Sequence, residues 1–275
     1  GVNEQVANGA VPDAVLPFHI KKADAVARIR QFVDKRRLFA LKAFKEQFTP
    51  ENVVAVYMPY MIVDGNASVS VAGHGEVETR RYTQGSGKDK KTYYDADVYA
   101  IERHVDFTVD DLPLESSGER GNLDTSSNTN NIINTILPFD TKNAVKWNAS
   151  YLNGVSSEKR DLDVEHLHPR LEDQLLSIAR CQVEPSVSRF DRGVRWEQER
   201  LDVHGTRWVS MYLPVWLYSF HQPGSNGGML HYIAVNGRTG ETMGSVPVQQ
   251  WKLLAAAITT GTFLEAIALM IIGSQ

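Results

Sequence analysis

Histidines and carboxylates lie closest together between residues 161 and 173. The stretch contains Asp161, Asp163, Glu165, His166, His168, Glu172 and Asp173. A histidine near a carboxylate can serve acid–base catalysis, and two histidines two positions apart on a strand would share a face and could bind a metal. Pro169 follows His168 directly, which favours the start of a helix, where acidic side chains stabilise the helix dipole. The Glu165–Asp173 cluster with its histidines is the candidate site of a small hydrolase, and the simpler interpretation is an exposed helix start.

Other residues with chemical potential form incomplete motifs. Gly85-Ser-Gly-Lys88 is similar to the end of a phosphate-binding loop, but Tyr82 and Asp89 occupy its glycine and hydroxyl positions. The Gly-x-Ser-x-Gly motif of serine hydrolases is absent. Cys181 is the sole cysteine, which excludes a disulfide or a cysteine-based zinc site within this chain, and its position after an apolar helix predicts burial. No catalytic or metal-binding constellation emerges, so we expect a protein that is not an enzyme.

Composition narrows the class of protein further. The 275 residues are 42% hydrophobic and 23% charged, with a formal net charge of −4. This balance is typical of a globular protein and unlike that of a disordered chain. Proteins held to nucleic acid by charge are normally basic, so we expect no nucleic-acid partner.

Two short motifs recur in the same order along the chain. Leu16-Pro17-Phe18 recurs as Leu137-Pro138-Phe139, and Tyr57-x-Pro59 recurs as Tyr212-x-Pro214. Each first motif is followed by a helical pattern and each second motif lies in a strand pattern. The shared order predicts an internal duplication.

Each copy is predicted to combine helix with antiparallel strands. In the first copy, apolar spacing predicts a helix over residues 22–48, which Pro50 ends, and strands over 52–64, 67–72 and 94–109. The second copy is predicted to have helices over 142–148 and 169–180 and strands over 194–203 and 206–220. Asn236, Gly237 and Gly240 predict the turn of a final hairpin, because such turns need positive φ angles.

The predicted fold class is therefore α+β, with two related helix-plus-antiparallel-sheet units followed by a C-terminal apolar helix. A polar stretch rich in Ser, Asn and Gly places the boundary between the units. The predicted domains are a first α+β unit over 1–120, a linker over 121–131, a second α+β unit over 132–251 and a helix over 252–273.

The last segment has the length of a membrane helix. Residues Leu253–Ile272 contain one charged side chain, Glu265, and follow Trp251 and Lys252, which suit a membrane interface. The predicted anchor side chains are Leu253, Leu254, Ile258, Phe263, Leu264, Ile267, Leu269 and Ile271. The alternative is a helix buried in the protein's own core, in which case the chain would be a soluble ligand-binding α+β module.

These motifs resemble those of a bacterial family. The Leu-Pro-Phe and Tyr-x-Pro motifs, together with the hairpin Tyr232–Pro247, are similar to the TFIIB-type zinc-ribbon-containing membrane proteins of the YdjG type. In that family, Cys-x-x-Cys ribbons precede the first Leu-Pro-Phe motif, and a transmembrane segment follows the hairpin. With one cysteine, this chain lacks the ribbon, so the resemblance implies zinc only in an upstream segment and no cofactor here.

The resemblance implies a role in the bacterial envelope-stress response of the phage-shock type. It predicts a non-enzymatic, membrane-tethered scaffold or adaptor whose partners are membrane or stress-response proteins, among them a phage shock protein A homologue. The implied location is the cytoplasmic membrane, with the globular part on the cytoplasmic side and the C-terminal helix as the anchor.

Overall fold

The chain divides into two compact units, each assembled from separate stretches. The computed structural model describes residues 11–36, 42–85, 90–118, 136–222 and 229–247. Unit 1 comprises Gly1–Tyr60, Ser117–Asp161 and Ser210–Gln275, and unit 2 comprises Met61–Ser116 and Leu162–Val209. The polar linker predicted over 121–131 lies outside the described residues.

Strands dominate the described part of the chain. They are β1 (Ala14–Val15), β2 (Val54–Gln84), β3 (Lys91–Glu115), β4 (Val145–Lys146), β5 (Ser156–Ser157), β6 (Val194–Gln222), β7 (Met229–Asn236) and β8 (Thr242–Gly244). The α-helices are α1 (Lys22–Asp34), α2 (Lys42–Gln47) and α3 (Val164–Val183). Both long strands, β2 and β6, contribute residues to each unit.

Unit 1 is built on an antiparallel meander with a helix against it. The strands β6, β7 and β8 pair antiparallel, with Val235 opposite both Trp216 and Thr242. Short β1 adds to β6 in parallel. The apolar residues of α1 recur at helical spacing and form one face, which packs with strand residues into a buried cluster that includes Ile29, Tyr218 and Ile233.

Unit 2 is a sheet of β3, β2 and β6 with one face covered by α3. Side-chain contacts show that β2 and β3 run antiparallel, because residue numbers decrease along β3 as they increase along β2. The contacts are Asn66–Thr108, Ser68–Asp106 and Ser70–His104. Alternate residues of β2, such as Val63, Val69 and Val71, are buried, as expected of a strand with one face on the core. They pack with the buried face of α3, formed by Leu167, Leu171, Leu175, Ala179 and Val183.

The predicted fold class is wrong. Instead of two related helix-plus-sheet units, the described residues form a mixed β-sheet fold with one main helix, α3. The helix predicted over 252–273 lies outside the described residues. Of the helix predicted over 22–48, the structure has α1 and α2, with residues 37–41 between them outside the described part. Where a helix was predicted over 142–148, a 3-10 turn at Thr141–Asn143 is followed by the two-residue strand β4. The two strands predicted over 52–64 and 67–72 belong to one strand, β2. Within it, Gly65 permits a close approach, because a Cβ there would lie 3.0 Å from the Gly205 carbonyl oxygen.

The predicted membrane helix and membrane location are also corrected. Among the residues that the structure describes, no helix is long and apolar enough to cross a membrane. The longest, α3, is amphipathic, with charged side chains along its exposed face. The proposed anchor Leu253–Ile272 lies outside the described residues. The structure therefore does not support a membrane-tethered protein at the cytoplasmic membrane.

Candidate functional site

The histidine–carboxylate cluster found in the sequence starts helix α3. Asp163 caps the helix: its carboxylate accepts a hydrogen bond from the His166 backbone N–H at 3.0 Å and lies 2.6 Å from His166 Nδ1. These hydrogen bonds hold the pKa of Asp163 below its ordinary value. His168 lies beside the Trp208 ring instead, with 5.4 Å between ring centroids. The arrangement satisfies a helix end. The lowered pKa of Asp163 is the opposite of what a general acid needs, so the cluster does not support the hydrolase alternative.

The structure describes Cys181 in full and the phosphate-loop-like segment only at Gly85. Cys181 is exposed on α3, not buried as predicted. It lies in an open groove of about 390 Å³ between Arg180 and Trp196. Gly85 adopts a positive φ of 99° at the end of β2, and residues 86–89 of the phosphate-loop-like segment lie outside the described part.

The repeated motifs converge in the core of unit 1. Phe18 packs edge-on against Tyr57 with ring centroids 5.2 Å apart, and Tyr57 stacks on Tyr212 at 6.0 Å. The other copy contributes Phe139, whose ring lies 6.4 Å from Tyr60. Both stacked tyrosines are 2% exposed, and burial raises the pKa of Tyr57 to about 12. The motif aromatics are core residues, and the duplication itself stays a prediction.

The hairpin motif ties these segments together through backbone groups. The Asn236 side chain donates to the Ile136 carbonyl at 2.9 Å and to the Pro138 carbonyl at 3.1 Å. Gly237 donates to the Pro214 carbonyl at 2.8 Å, and a Cβ on it would lie 2.7 Å from the Phe18 ring. The remaining motif positions, Leu16, Pro17, Pro59, Leu137 and Gly240, lie in the same unit. The repeat residues are therefore positions that hold the fold.

A polar network that the sequence did not reveal crosses the exposed face of unit 2. Ser68 donates to Asp106 at 2.5 Å and lies 2.6 Å from His204 Nε2. His104 joins Asp106 at 3.2 Å and Ser70 at 2.9 Å. The Ser68 hydrogen bond, assisted by the charge of His104, lowers the pKa of Asp106. The residues come from three strands far apart in the sequence, so no local spacing could have indicated them.

This network connects Ser70, His104 and Asp106 in the order of a catalytic triad. However, the ring presents Nδ1 to the serine and Nε2 to the carboxylate, the reverse of the serine-hydrolase orientation. The side chains of His104 and Asp106 are 57% and 71% exposed, so water screens any charge stabilisation. We interpret these contacts as cross-strand pairs that fix the sheet.

Three carboxylates form the group in the described residues that could hold a metal. Single oxygens of Asp64, Asp110 and Asp111 lie within 4.8 Å of one another. Asp111 adopts a φ of 57°, and its backbone N–H donates to Asp64 at 3.0 Å. Arg207 lies 3.7 Å from the second Asp64 oxygen. Both carboxylate oxygens of Asp64 therefore already have partners in the protein. Exposed carboxylate clusters also occur commonly without an ion.

The strongest feature of the surface is a two-stranded ribbon where β2 and β3 extend beyond β6. We define the ribbon as residues 79–85 and 90–100. Its base, residues 97–100, lies opposite residues 74–77 of β2, where Glu76 still hydrogen-bonds to Gly193. Backbone pairing with the β6 side ends between Glu76 and Gly193, and the Asp191 carboxylate accepts from the Glu78 N–H at 2.8 Å. Beyond Glu78, the described residues place only β3 beside β2. Every ribbon residue except Ala96 is exposed, and at the base of the ribbon the Tyr99 ring lies 6.0 Å from the ring of buried Phe190.

The ribbon nevertheless carries large apolar side chains. Their exposed fractions are 39% for Tyr82, 43% for Tyr93, 42% for Tyr94, 59% for Val98 and 43% for Tyr99. Tyr82 and Tyr93 stack with ring centroids 5.9 Å apart. Two-stranded ribbons are marginal in water by themselves, and a cluster of exposed aromatic residues is unusual on a surface without a binding role.

Arginines lie on the ribbon tyrosines. The Arg192 guanidinium carbon is 3.8 Å from the Tyr94 ring centroid, and those of Arg80 and Arg189 lie 5.6 Å and 5.7 Å from Tyr82 and Tyr99. Cation–π contacts of this kind hold both partners in place. Tyrosine and arginine are the residues enriched in protein–protein interfaces and their hot spots.

Comparison with known proteins leaves this surface without an assigned role. No protein-family model matches the chain, and no solved structure matches it. The chain is similar to the uncharacterized protein YdjG of Bacillus subtilis strain 168, with 22% identity over 274 residues that cover 98% of this chain and 75% of the relative. At that identity the relative makes the chain a distant homologue of YdjG, and the zinc-ribbon family stays a prediction.

Proposed function

We propose that this protein is a non-enzymatic scaffold that binds another protein through the β2–β3 ribbon. The observation that carries the proposal is the group of exposed tyrosines and Val98 on a ribbon in which every residue except Ala96 is exposed. Burying these side chains against a partner would remove apolar area from water, at about 25 cal/mol per Å². The stacked arginines add groups that can hydrogen-bond to the partner at the rim.

The titratable groups support a binding role over a catalytic one. The described carboxyl groups with shifted pKa values all have them lowered, through hydrogen bonds or ion pairs with neighbouring side chains. A general acid needs the opposite, a carboxyl group whose pKa is raised by burial. Burial lowers the pKa of His231. Both of its ring nitrogens are already hydrogen-bonded, one to Ser245 and the other to Gln222.

The family resemblance supports a specific setting for this scaffold. It implies an envelope-stress complex of the phage-shock type and, as partner, a phage shock protein A homologue. The identity of the partner is supported by the Leu-Pro-Phe, Tyr-x-Pro and hairpin motifs, whereas the ribbon supports only the binding of a protein.

Site-specific crosslinking in cells tests the ribbon directly. A photo-crosslinking amino acid replaces Val98 on the ribbon or, as the matched control, Val203, an exposed valine of β6 outside it. We expect protein adducts from position 98 and none from position 203. Mass spectrometry of the adducts tests the phage shock protein A homologue as partner, and absence of an adduct at 98 would contradict the proposal.

A double variant and its control measure how much the ribbon tyrosines contribute to partner binding. Tyr82→Ser with Tyr93→Ser removes the stacked pair, and we expect it to abolish the adduct at position 98. The control Val203→Ser should leave it unchanged. An adduct of undiminished yield in the double variant would show that the tyrosines are not the contact surface.

A further inference from the structure

The ribbon exposes apolar side chains on both of its faces. Successive residues of a strand point to opposite faces of a sheet, so Tyr93 and Tyr99 lie on one face of β3, and Tyr94 and Val98 lie on the other. All four side chains are between 42% and 59% exposed. The binding surface is therefore divided between two faces that point in opposite directions.

The first face is the one that α3 covers further along the sheet. Tyr99 lies two residues before Ile101, which is buried in the cluster under α3, and its ring lies 6.0 Å from the ring of Phe190 in the same cluster. Tyr82 belongs to this face as well, because its ring stacks on that of Tyr93. We call this face, with its three tyrosines, the helix-side face of the ribbon.

Tyr94 and Val98 lie on the opposite face, which we call the outer face. The Tyr94 hydroxyl donates to the Glu76 carboxylate at 3.4 Å. Glu76 precedes Val77, whose side chain packs against the cluster under α3, so Glu76 and Tyr94 point the other way. The Arg192 guanidinium covers part of the Tyr94 ring, 3.8 Å from its centroid, and holds it in place.

One face alone is small for a stable interface. Two strands about 4.8 Å apart form a ribbon about 10 Å wide, and residues 90–100 extend over about 35 Å. One face therefore has a flat area of about 350 Å², whereas a standard interface buries about 800 Å² on each partner. Contact with both faces doubles the area, and the edge of β3, the terminal strand among the described ones, adds to it.

We propose that the ribbon inserts into a cleft of a different protein, which contacts the helix-side face and the outer face at the same time. A partner on one face would leave the apolar side chains of the other face in water. A two-stranded ribbon is marginal by itself, and a layer packed on each side gives it the surroundings of a sheet inside a protein. This inference rests on the proposed function, because it describes how the same surface binds its partner.

The two walls of the cleft need different chemistry. Between Tyr94 and Ala100, β3 contributes only uncharged side chains to the outer face, so the outer wall is apolar where it meets β3. The helix-side face carries the exposed Arg80, Asp95 and Asp97 beside its tyrosines. The wall that meets this face therefore needs charged groups of both signs as well as apolar contacts.

Crosslinking from two adjacent positions tests the insertion in cells. Asp97 and Val98 are both exposed and are neighbours on β3, so they lie equally far along the ribbon on opposite faces. A photo-crosslinking amino acid replaces one or the other in the full chain, with Val203 as the matched control outside the ribbon. We expect positions 97 and 98 to form adducts with the same protein and position 203 to form none. Mass spectrometry should assign the two adducts to different segments of that protein, the two walls of its cleft.

A variant on one face should weaken the contact on the other. We expect Tyr94→Ser, on the outer face, to lower the adduct yield at position 97 about tenfold, as for the loss of a buried interface tyrosine. The reason is that insertion makes binding to the two faces a single event. The control Val203→Ser should leave the yield unchanged, and circular dichroism of each variant checks that the fold is retained. An unchanged yield at position 97 in Tyr94→Ser would overturn the insertion.

The outcomes separate this inference from the proposed function. An adduct at position 98 without one at position 97 overturns the insertion and leaves the ribbon scaffold standing, because the partner then lies on the outer face alone. Adducts with two different proteins, or only with a second copy of this chain, overturn the insertion as well. Absence of an adduct at position 98 contradicts both proposals.

Discussion

Two tyrosine pairs, one in each unit, have the same geometry in opposite environments. Tyr57 and Tyr212 stack with ring centroids 6.0 Å apart and an interplanar angle of 21°, and Tyr82 and Tyr93 stack at 5.9 Å and 22°. The first pair is 2% exposed at each residue, whereas the second is 39% and 43% exposed. A stacked pair on neighbouring strands is thus a property of local strand geometry, and burial alone decides whether it stabilises the fold or remains available to a partner.

The difference in burial should appear first in stability. We expect Tyr57→Ala to lower the free energy of unfolding by about 3–5 kcal/mol, the usual cost of removing a large buried aromatic side chain. Tyr82→Ala should change it by less than about 0.5 kcal/mol, as for most exposed positions. Urea unfolding of both variants measures the contrast. Equal losses would mean that the ribbon is part of a core after all.

Two glycines, one crowded and one open, should differ in the stability that is lost when each is replaced by alanine. We expect Gly237→Ala to cost about 1–3 kcal/mol, because its new Cβ would meet Phe18 and Pro214 at 2.7 Å and 2.8 Å. In Gly205→Ala the new methyl group meets nothing within 4 Å. Thermal melting of the two variants should therefore separate them. A stable Gly237→Ala variant would show that the hairpin can move away from Phe18.

Alkaline pH sharpens the comparison between the tyrosine pairs. Because burial raises the pKa of Tyr57 from 10.0 to about 12, the unfolded chain loses its proton first. The stability contributed by this group is complete below pH 10 and is lost as the pH rises towards 12. Tyr57→Phe should reduce that loss, whereas Tyr82→Phe should not. Unfolding free energies measured across this range provide the test, and identical slopes for both variants would contradict it.

The smallest expected effect concerns the helix start in unit 2. Hydrogen bonds from His166 lower the pKa of Asp163 below 3.8, so its contribution to stability is present above that value and is lost as the pH falls through the folded-state pKa. Asp163→Asn should therefore differ from the native chain most at neutral pH and least in strong acid. Chemical denaturation at several pH values measures this difference. A constant difference would show that the carboxylate charge is not what caps α3.

Sequence patterns predicted individual elements better than their assembly. The apolar spacing before Asp34 and after Pro169 indicated helices, and α1 and α3 contain these positions. The turn at Asn236–Gly240 joins β7 to β8 as predicted, but Gly240 alone of the three predicted turn residues has a positive φ angle. The predicted fold class was wrong because the units are not consecutive copies: β2 and β6, which are far apart in the sequence, each contribute residues to both units.

The candidate site was harder to predict, for a physical reason. Tyrosines at strand spacing are most often core residues, and Tyr57 and Tyr212 are. Tyr82, Tyr93 and Tyr94 occur at similar spacing, and only the end of β6 at Val194 leaves them without a core. The His204–Ser68–Asp106 network was equally invisible, because its members come from strands distant in the chain.

The amino-acid sequence by itself determined the local features of this protein: where α1 and α3 form, where the hairpin turns, and the absence of a cysteine-based metal site within the chain. These depend on residue types a few positions apart, whose propensities act within a single turn or strand. Tertiary structure alone decided which segments share a unit, which tyrosine pair is buried and which strand is left at an edge. Those outcomes depend on pairing between distant strands, and the proposed function rests on them.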